Sequence, residues 1–500
     1  MNENGCKARV KLNKRMIDNN NEIADVVIIG AGISGIGTAY WLQKKCPTKK
    51  YTILEARESI GGTWSLFRYP GIRSDSDMFT FGYKFKPWKN PNLLSSGESI
   101  LSYLAETVKE NNIEKNIQFK CKLIEAHWSD ISKIWTLSVQ KNNSIVEIKC
   151  KFLSICSGYY SYSEAYKPDF IGEGNFKGQT IIPQFWPENF DFKNKKIIVV
   201  GSGATAVTLV PAMAEQGAAH VTMLQRSPSY IFTIPNKNVL FNFLRKYLPT
   251  KLSHTLIRAL ILSLSVIFYS LSRKFPKKIK SHLIKNVAKQ LPSGYDVEKH
   301  FTPKYNPWDQ RVCAVPDGDF FEAIKSGKAS VVTDEITQFT ENGILLKSGE
   351  EIKADIIVLA TGLKMNLMGY AKIFVNEKQL NLNEHLIYKG MMISNVPNHV
   401  CAFGYTNASW TLKVDLTANY FCKLLKYMDE KGYHVVVPAS TELPTDESFV
   451  TLNSGYIQRA SKILPKQGRK LPWRVYQNYF IDKFIMSYGK VNDGVLKFLK

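Results

Sequence analysis

The chain is short of the groups that small redox proteins use to relay electrons. Its eight cysteines, Cys6, Cys46, Cys121, Cys150, Cys156, Cys313, Cys401 and Cys422, form no C-x-x-C pair and show no metal-ligand spacing. That excludes a dithiol exchange centre and an iron–sulfur or zinc cluster, and it leaves the thiols as reduced packing residues in a reducing, cytoplasmic setting. Acid is also scarce: 43 Asp and Glu stand against 66 Lys and Arg, for a formal charge of +23. From Gln216 to Tyr295 there is no acidic residue at all, while Lys or Arg recurs thirteen times. No nucleic-acid motif accompanies this excess, so anionic cofactors or anionic lipid are the expected partners rather than nucleic acid. Long apolar runs are missing too. The first 24 residues carry no apolar core of a secretory signal and read as a loose arm. The most apolar window, Ala259 to Ser272, holds fourteen uncharged residues, whereas a spanning helix needs about 20. Extending it back to Leu252 encloses His254 and Arg258, so a buried or interfacial helix is expected instead of a span.

What remains is a large globular chain of 500 residues with 44% apolar side chains, enough for two or three domains with real cores. Asp25 to Glu55 reads as strand, glycine turn, helix and second strand. Val26 to Ile29 is a continuous apolar run suited to a strand buried on both faces, and Gly30, Gly32 and Gly35 follow with G-x-G-x-x-G spacing. The first glycine permits the tight turn, the second brings bare backbone to a pyrophosphate, and the third lets the helix sit close to the strand. The helix N-terminus then faces the phosphates. Glu55 closes the second strand twenty residues after Gly35, where a carboxylate accepts hydrogen bonds from a ribose 2′-OH.

Lys195 to Arg226 repeats this plan, with the strand IIVV, the turn GSGATA carrying Gly201, Gly203 and Ala206, a helix to about Gln216, and the strand HVTML. Its second strand ends at Gln225-Arg226-Ser227 in place of an acid. An arginine there suits a 2′-phosphate, so the first cradle is expected to hold FAD and the second NADPH. Each cradle is followed by a turn-rich meander, Ile117 to Lys151 and Val331 to Ile352. Each meander is followed by a buried strand ending in small residues, Phe152 to Cys156 with Ser157-Gly158 and Ile356 to Leu359 with Ala360-Thr361-Gly362.

The expected fold is therefore α/β, two nested Rossmann-like dinucleotide-binding domains, for FAD and NADPH, with a helical insert. Residues 1–24 form the arm, 25–190 the first part of the FAD domain and 191–232 the first part of the NADP domain. The basic helical insert spans 233–304, the NADP domain resumes over 305–365, and 366–500 return to the FAD domain. Between the cradles, ARESIGGTWSLFRYPGIRSDSDMFTFGYKFKPW is dense in glycine and aromatics and reads as an irregular ligand-facing loop, in which Thr63 and Trp64 cover a flat ring and Arg73 and Asp75 form a charge pair. With no redox dithiol and no metal relay, dioxygen is the remaining common acceptor for the reduced flavin.

The motifs GAGISG, GGTWSLFRYPGIRSDSD, FKGQTIIPQFWP, GSGATAVTLVP, NPWDQRVCAVPDGDFF, ATG and FGYTNASWTLK occur in one order from Asp25 into the C-terminal region. In this the chain resembles the flavin-dependent Baeyer-Villiger monooxygenases, and within them their ethionamide-activating branch. The resemblance implies bound FAD, NADPH as hydride donor and O2 as co-substrate. It also implies a flavin peroxide that converts ketones to esters or lactones, or oxidises sulfur compounds. It places Ser34, Glu55, Thr63, Trp64, Ser65, Leu66, Asp75 and Leu123 at FAD. It places Arg73, Ser74, Asp75, the turn Gly201-Ser202-Gly203-Ala204-Thr205-Ala206-Val207, and Arg226 with Ser227 at NADPH. Arg311 in WDQRV matches the family's active-site arginine, with Asp75 as the carboxylate that orients it.

One position departs from the family. The fingerprint F-x-G-x-x-x-H-x-x-x-W-P is present as Phe176, Gly178, Trp186 and Pro187, but Ile182 stands at the histidine. The Trp-Pro ending favours the Baeyer-Villiger branch, while the missing imidazole puts the coupling of domain movement in doubt. Two other classes stay open on the residues alone: a heteroatom oxygenase or uncoupled NADPH oxidase on the same fold, and a non-catalytic nucleotide-binding protein at a membrane surface. The basic insert raises the expectation of peripheral contact with the inner face of the cell membrane.

Overall fold

The apolar run at the start of the chain is central because both its faces are used. In a computed structural model that describes residues 23–442 and 444–500, the strand Ala24–Ile29 sends Val26 and Ile28 into one core and Val27 and Ile29 into another. A strand covered on both faces has no position for a polar side chain, which is why the run shows no alternation. It lies in parallel between Tyr51–Leu54 and the end of Ser144–Ile155. Ile117–Gln118 and His399–Cys401 extend the parallel sheet on its two sides. The second cradle repeats the device. In Lys196–Val200, Ile197 and Val199 face one core and Ile198 and Val200 the other. Its parallel sheet runs Ala329–Thr333, His220–Gln225, Lys196–Val200, Ile356–Leu359, Gln179–Ile181. The two nested doubly wound units expected from the sequence are thus present.

Most of the arm expected over residues 1–24 lies outside the described residues, and Ala24 already opens the first strand. The meanders differ from expectation. Cys121–Ser129, Ile134–Lys141 and Ser144–Ile155 form one antiparallel ribbon whose last strand is 12 residues long. The buried run Phe152 to Cys156 is the end of that strand and no separate element. Nothing between Lys151 and Phe152 breaks the extended chain, so one strand serves the ribbon with its first part and the parallel sheet with its last. Likewise Ala329–Thr333 is an edge strand of the second parallel sheet, and only Ile336–Phe339, Gly343–Leu346 and Glu351–Lys353 make the second meander.

The insert begins with a strand, Ile231–Ile234, paired in parallel to Cys313–Pro316. The helices Val239–Tyr247, Thr250–Lys274, Pro276–Ala288 and Val297–Phe301 follow. The apolar window therefore lies inside a helix of 25 residues, long and apolar enough to cross a membrane by length and composition alone. One face of this helix docks on protein. Arg258 is buried and its Nη1 donates to the carbonyls of Phe79 and Gly82, 2.6 and 2.8 Å away. Ile257 packs beside it against Phe79 and Phe241. The stretch FGYTNASWTLK opens a long helix, Trp410–Lys431, that lies against the first-cradle helix Ile33–Lys45 and carries the chain back to the first domain.

The segment between the cradles is not wholly irregular, since Thr63–Leu66 and Met78–Phe81 each form a single helical turn. It also joins the two domains. Gly71 sits so close to the second-cradle helix Ala204–Glu215 that a Cβ there would fall 2.5 Å from the Ala212 side chain.

Candidate functional site

Each cradle closes on its own sheet through its first glycine. Gly30 has φ of 101° and its missing Cβ would lie 2.7 Å from the Cys156 carbonyl oxygen. Gly201 has φ of 137° and would meet the Ala360 carbonyl oxygen at 2.3 Å. Both turns are therefore pinned against the residues that end the closing strand. Gly35 is required by packing instead: a Cβ there would sit 1.9 Å from the Gly30 carbonyl oxygen. Both helices start without a side-chain cap, so their first N–H groups are left for an anion.

The two second strands end as differently as the sequence implies. Glu55 is buried, with Oε2 accepting from the Ala31 N–H at 2.7 Å and Oε1 from the Arg57 N–H at 2.9 Å, which fixes the carboxylate at the lip of the turn. Gln225 is buried and donates to the His300 carbonyl and Thr333 hydroxyl, which leaves the next residue, Arg226, to project into the open. Ser202 donates to the Ser227 carbonyl at 3.0 Å and ties the glycine turn to this strand end.

A single cleft of about 1240 Å³ runs between the cradles. Gly30, Gly32, Ser34, Glu55, Thr63, Trp64, Leu66 and Leu123 line its first-domain side. Gly201 to Thr205, Arg226 and Ser227 line the other, and Ser74, Asp75 and Arg311 stand where the two meet. Five expected residues, Gly35, Ser65, Arg73, Ala206 and Val207, do not face it. Gly35, Ala206 and Val207 are packed beneath their turns. Ser65 is buried, with its hydroxyl taking a 2.6 Å hydrogen bond from Arg57.

Arg73 does not pair with Asp75, as their spacing in the sequence suggests, but with Asp319, through Nη1 to Oδ2 at 2.5 Å, and so clasps the connecting loop to the helix Asp319–Lys325. Burial pushes the Asp319 carboxyl up, and Arg73 opposes it. The arginine is drawn there because Asp75 is already engaged. Arg311 holds it with two parallel bonds, Nε to Oδ2 at 2.7 Å and Nη2 to Oδ1 at 2.9 Å. This two-point fit fixes the plane of the guanidinium as well as its position. Asp75 holds the Arg311 guanidinium well above its ordinary range against the opposing pull of desolvation.

Several cleft residues carry no sequence motif. Tyr159, Tyr160 and Tyr456 surround Arg311 closely enough to act on its charge, and burial pushes all three phenols up. Tyr159 stacks on Trp410 with ring centroids 4.8 Å apart, and the Trp410 indole donates to Ser34 Oγ at 2.9 Å. The only available signal was position, two tyrosines directly after Ser157-Gly158. Ser157 itself lines the cleft with a buried hydroxyl that has no hydrogen-bond partner. Beside it, Met368, Gly369 and Tyr370 are all left-handed, with φ of 58°, 64° and 67°. Such a run persists only where its surroundings hold it, and it concentrates at ligand sites.

Ile182 does not line the cleft. It packs with Phe170 and Phe176 onto the core under the second meander, so an apolar contact occupies the fingerprint's histidine position. Two residues on, the buried Gln184 donates from Nε2 to the Ser161 carbonyl at 2.8 Å and the Glu164 carbonyl at 3.3 Å, holding the segment after the closing turn.

Known proteins share this arrangement over nearly its whole length. The chain is 50% identical over 477 residues to the FAD-containing monooxygenase EthA of Mycolicibacterium smegmatis, covering 95% of this chain and 97% of that one. It is 49% identical to the probable FAD-binding monooxygenase AlmA of Acinetobacter baylyi, with 95% and 96% covered. Among solved structures, an oxidized steroid monooxygenase bound to NADP superposes with a TM-score of 0.77 at 20% identity, over 96% of this chain and all of that one. A cyclohexanone monooxygenase from Rhodococcus sp. Phi1 bound to NADP+ gives 0.73 at 19%, with 96% and 99% covered. The model of the flavin-binding monooxygenase-like proteins matches residues 24–430, which takes in both cradles, the Arg311–Asp75 pair and the helix returning from Trp410, and to that family the chain belongs.

Proposed function

We propose that this flavin monooxygenase holds FAD in its first cradle and NADPH in its second, and that it performs Baeyer-Villiger oxidation, turning ketones into esters or lactones. The residues fit both groups. The bare glycine turn of each cradle would receive a dinucleotide, and the partnerless Ser157 hydroxyl that lines the cleft would pair with a polar atom of a bound group. The carrying observation is the Arg311–Asp75 pair at the junction of the cradles. Bound FAD would supply the activation of dioxygen with electrons from NADPH. The protein's part is electrostatic. Arg311, its plane fixed by Asp75, faces negative charge that develops on a carbonyl oxygen, and the tyrosines around it limit competing water. Glu55 would hold the ribose of the flavin cofactor, and Arg226 the 2′-phosphate that distinguishes NADPH from NADH. The overall balance is ketone, O2, NADPH and a proton giving ester, water and NADP+.

The test is product analysis of the holoenzyme with NADPH and a panel of linear, cyclic and aryl ketones beside a sulfide, under 18O2. Ester carrying one labelled oxygen supports the reading. Sulfoxide or hydrogen peroxide without ester would replace it by a heteroatom oxygenase or an uncoupled oxidase.

Peripheral contact with anionic lipid belongs to the same reading. On the helix Thr250–Lys274, Leu252, Leu256, Leu260, Leu264, Ile267 and Leu271 are all exposed at helical spacing, opposite the face that holds Arg258. Val239, Leu240, Phe243 and Tyr247 are exposed on the preceding helix. Apolar stripes of this extent within an acid-free basic segment match an interfacial helix. Sedimentation with anionic vesicles at low salt should retain the protein, and concentration-dependent self-association without vesicle binding would assign the stripe to a second copy of the chain.

A further inference from the structure

Four arginines line the cleft, and three of them are accounted for. Arg57 is consumed by the Ser65 hydroxyl and the carbonyls of Gly62 and Ser65. Arg311 is consumed by Asp75, and Arg226 stands at the strand end that the proposed function assigns to the 2′-phosphate. The fourth, Arg459, comes from a short helix, Gly455–Arg459, in the C-terminal part of the chain. It makes no ion pair with a carboxylate among the described residues. Its guanidinium carbon lies 3.3 Å from the centre of the Tyr166 ring, so the planar cation is laid on an aromatic platform. Two glycines give it room. A Cβ on Gly362 would come within 3.4 Å of its Nη2 and one on Gly455 within 3.3 Å of Nη1. Gly362 belongs to the closing turn of the second cradle, and Thr361 beside it donates to the Tyr166 carbonyl at 3.1 Å.

The two cradles differ in what covers them. Gly32 of the first is faced by the Gly62 backbone, whose Cα would lie 3.5 Å from a Cβ at Gly32. Gly203, its counterpart in the second, has open space, with nothing within 4 Å. The second cradle is therefore open at Gly203, and a cation with no carboxylate partner among the described residues lines the same cleft at its closing turn. The segment bearing that cation is tied to the active-site loop, since the Asn453 N–H donates to the Asp309 carbonyl at 2.7 Å, two residues before Arg311.

We propose that Arg459 is an oxyanion-binding residue that completes the open second cradle by holding the diphosphate of the nicotinamide dinucleotide against the closing turn. This rests on the reading of that cradle as the NADP site. Stacking on Tyr166 holds the guanidinium plane ready, so little side-chain freedom is lost when the anion arrives.

The experiment is calorimetric binding to the FAD-loaded enzyme of NADP+ and of adenosine 2′-monophosphate, which keeps the 2′-phosphate but carries no 5′-phosphate and so lacks the whole diphosphate bridge and the nicotinamide half. Arg459→Gln should weaken NADP+ by about tenfold or more, as expected for loss of a charge-assisted hydrogen bond, and leave the 2′-monophosphate within about twofold. Arg459→Lys should recover part of the NADP+ affinity, because it keeps the charge and loses the stack. Arg226→Ala should weaken both ligands alike, which separates the two arginines. Retained FAD absorbance and an unchanged melting temperature show that the variant is folded. Unchanged NADP+ affinity in Arg459→Gln would overturn the proposal, as would equal loss for both ligands. Unchanged NADP+ affinity with a raised KM for a keto acid, but not for the neutral ketone, would overturn it by assigning the cation to substrate. If the unaltered holoenzyme bound neither NADP+ nor NAD+, the dinucleotide reading itself would fall and the proposal with it.

Discussion

Arg311→Ala is the perturbation on which the proposed chemistry turns. The side chain makes two bonds to Asp75, at 2.7 and 2.9 Å, and the partners are 31% and 30% exposed. A pair in that position lies between a surface ion pair, about 0 to 1 kcal/mol, and a buried one whose breaking costs about 3 to 5 kcal/mol. Removing the guanidinium should therefore lower stability by roughly 1 to 2 kcal/mol, a loss that a chain of this size tolerates. Arg73 cannot replace it, because it is held by Asp319. The catalytic cost is larger. Loss of one donor aimed at charge that develops in the transition state typically costs about 10² to 10³ in rate, or about 3 to 4 kcal/mol. The variant should keep its FAD and still oxidise NADPH, with the electrons leaving as hydrogen peroxide instead of ester. The assay follows NADPH, peroxide and ester in parallel under one set of conditions. Asp75→Asn supplies a control, since it keeps one acceptor for Arg311 and should lose less ester than Arg311→Ala. Undiminished ester in Arg311→Ala would refute the reasoning.

Arg226→Ala should raise the KM for NADPH by about tenfold or more and leave that for NADH nearly unchanged, and an equal loss with both would remove the 2′-phosphate assignment. Gly35→Ala forces a Cβ to within 1.9 Å of the Gly30 carbonyl, so the purified protein should carry little FAD, whereas full flavin occupancy would show that the turn can shift. Stability should fall on acidification: His399 is buried and neutral, its Nε2 accepting from the Ile393 N–H at 2.7 Å, and burial lowers it from 6.5 to about 3. The unfolded imidazole takes up a proton below about pH 6.5 and the folded one does not, so stability is full above 6.5 and is lost toward pH 3 at about 1.4 kcal/mol per pH unit; denaturant titrations of His399→Gln should show that much less slope. Ile182→His should not alter which product forms, because Ile182 packs away from the cleft, and tight NADPH-to-ester coupling in the unaltered enzyme would show that the missing imidazole is harmless.

What the sequence determined by itself is what depends on neighbouring residues. Each glycine turn and the residue that ends its second strand, Glu55 in the first unit and Arg226 in the second, sit within a single strand–turn–helix–strand unit, whose geometry is fixed by backbone sterics and strand length. The nested architecture followed because the pattern occurs twice, each time with its own closing strand. Pairings across hundreds of residues were not legible in this way. Arg73 and Asp75 are two residues apart and looked like partners, yet each finds its opposite charge in the second half of the chain, on Asp319 and Arg311. Local spacing places charges, but the packing of the connecting loop on the second-cradle helix decides which of them meet. The tyrosines around Arg311 and the stacked Arg459 were hidden for the same reason, since aromatic and basic residues are common and only their convergence gives them a role. Ser144–Ile155 shows the limit for a single element. Its residues suit an exposed ribbon in one part and a buried sheet in the other, and that the two are one strand was settled by the partners folded against it.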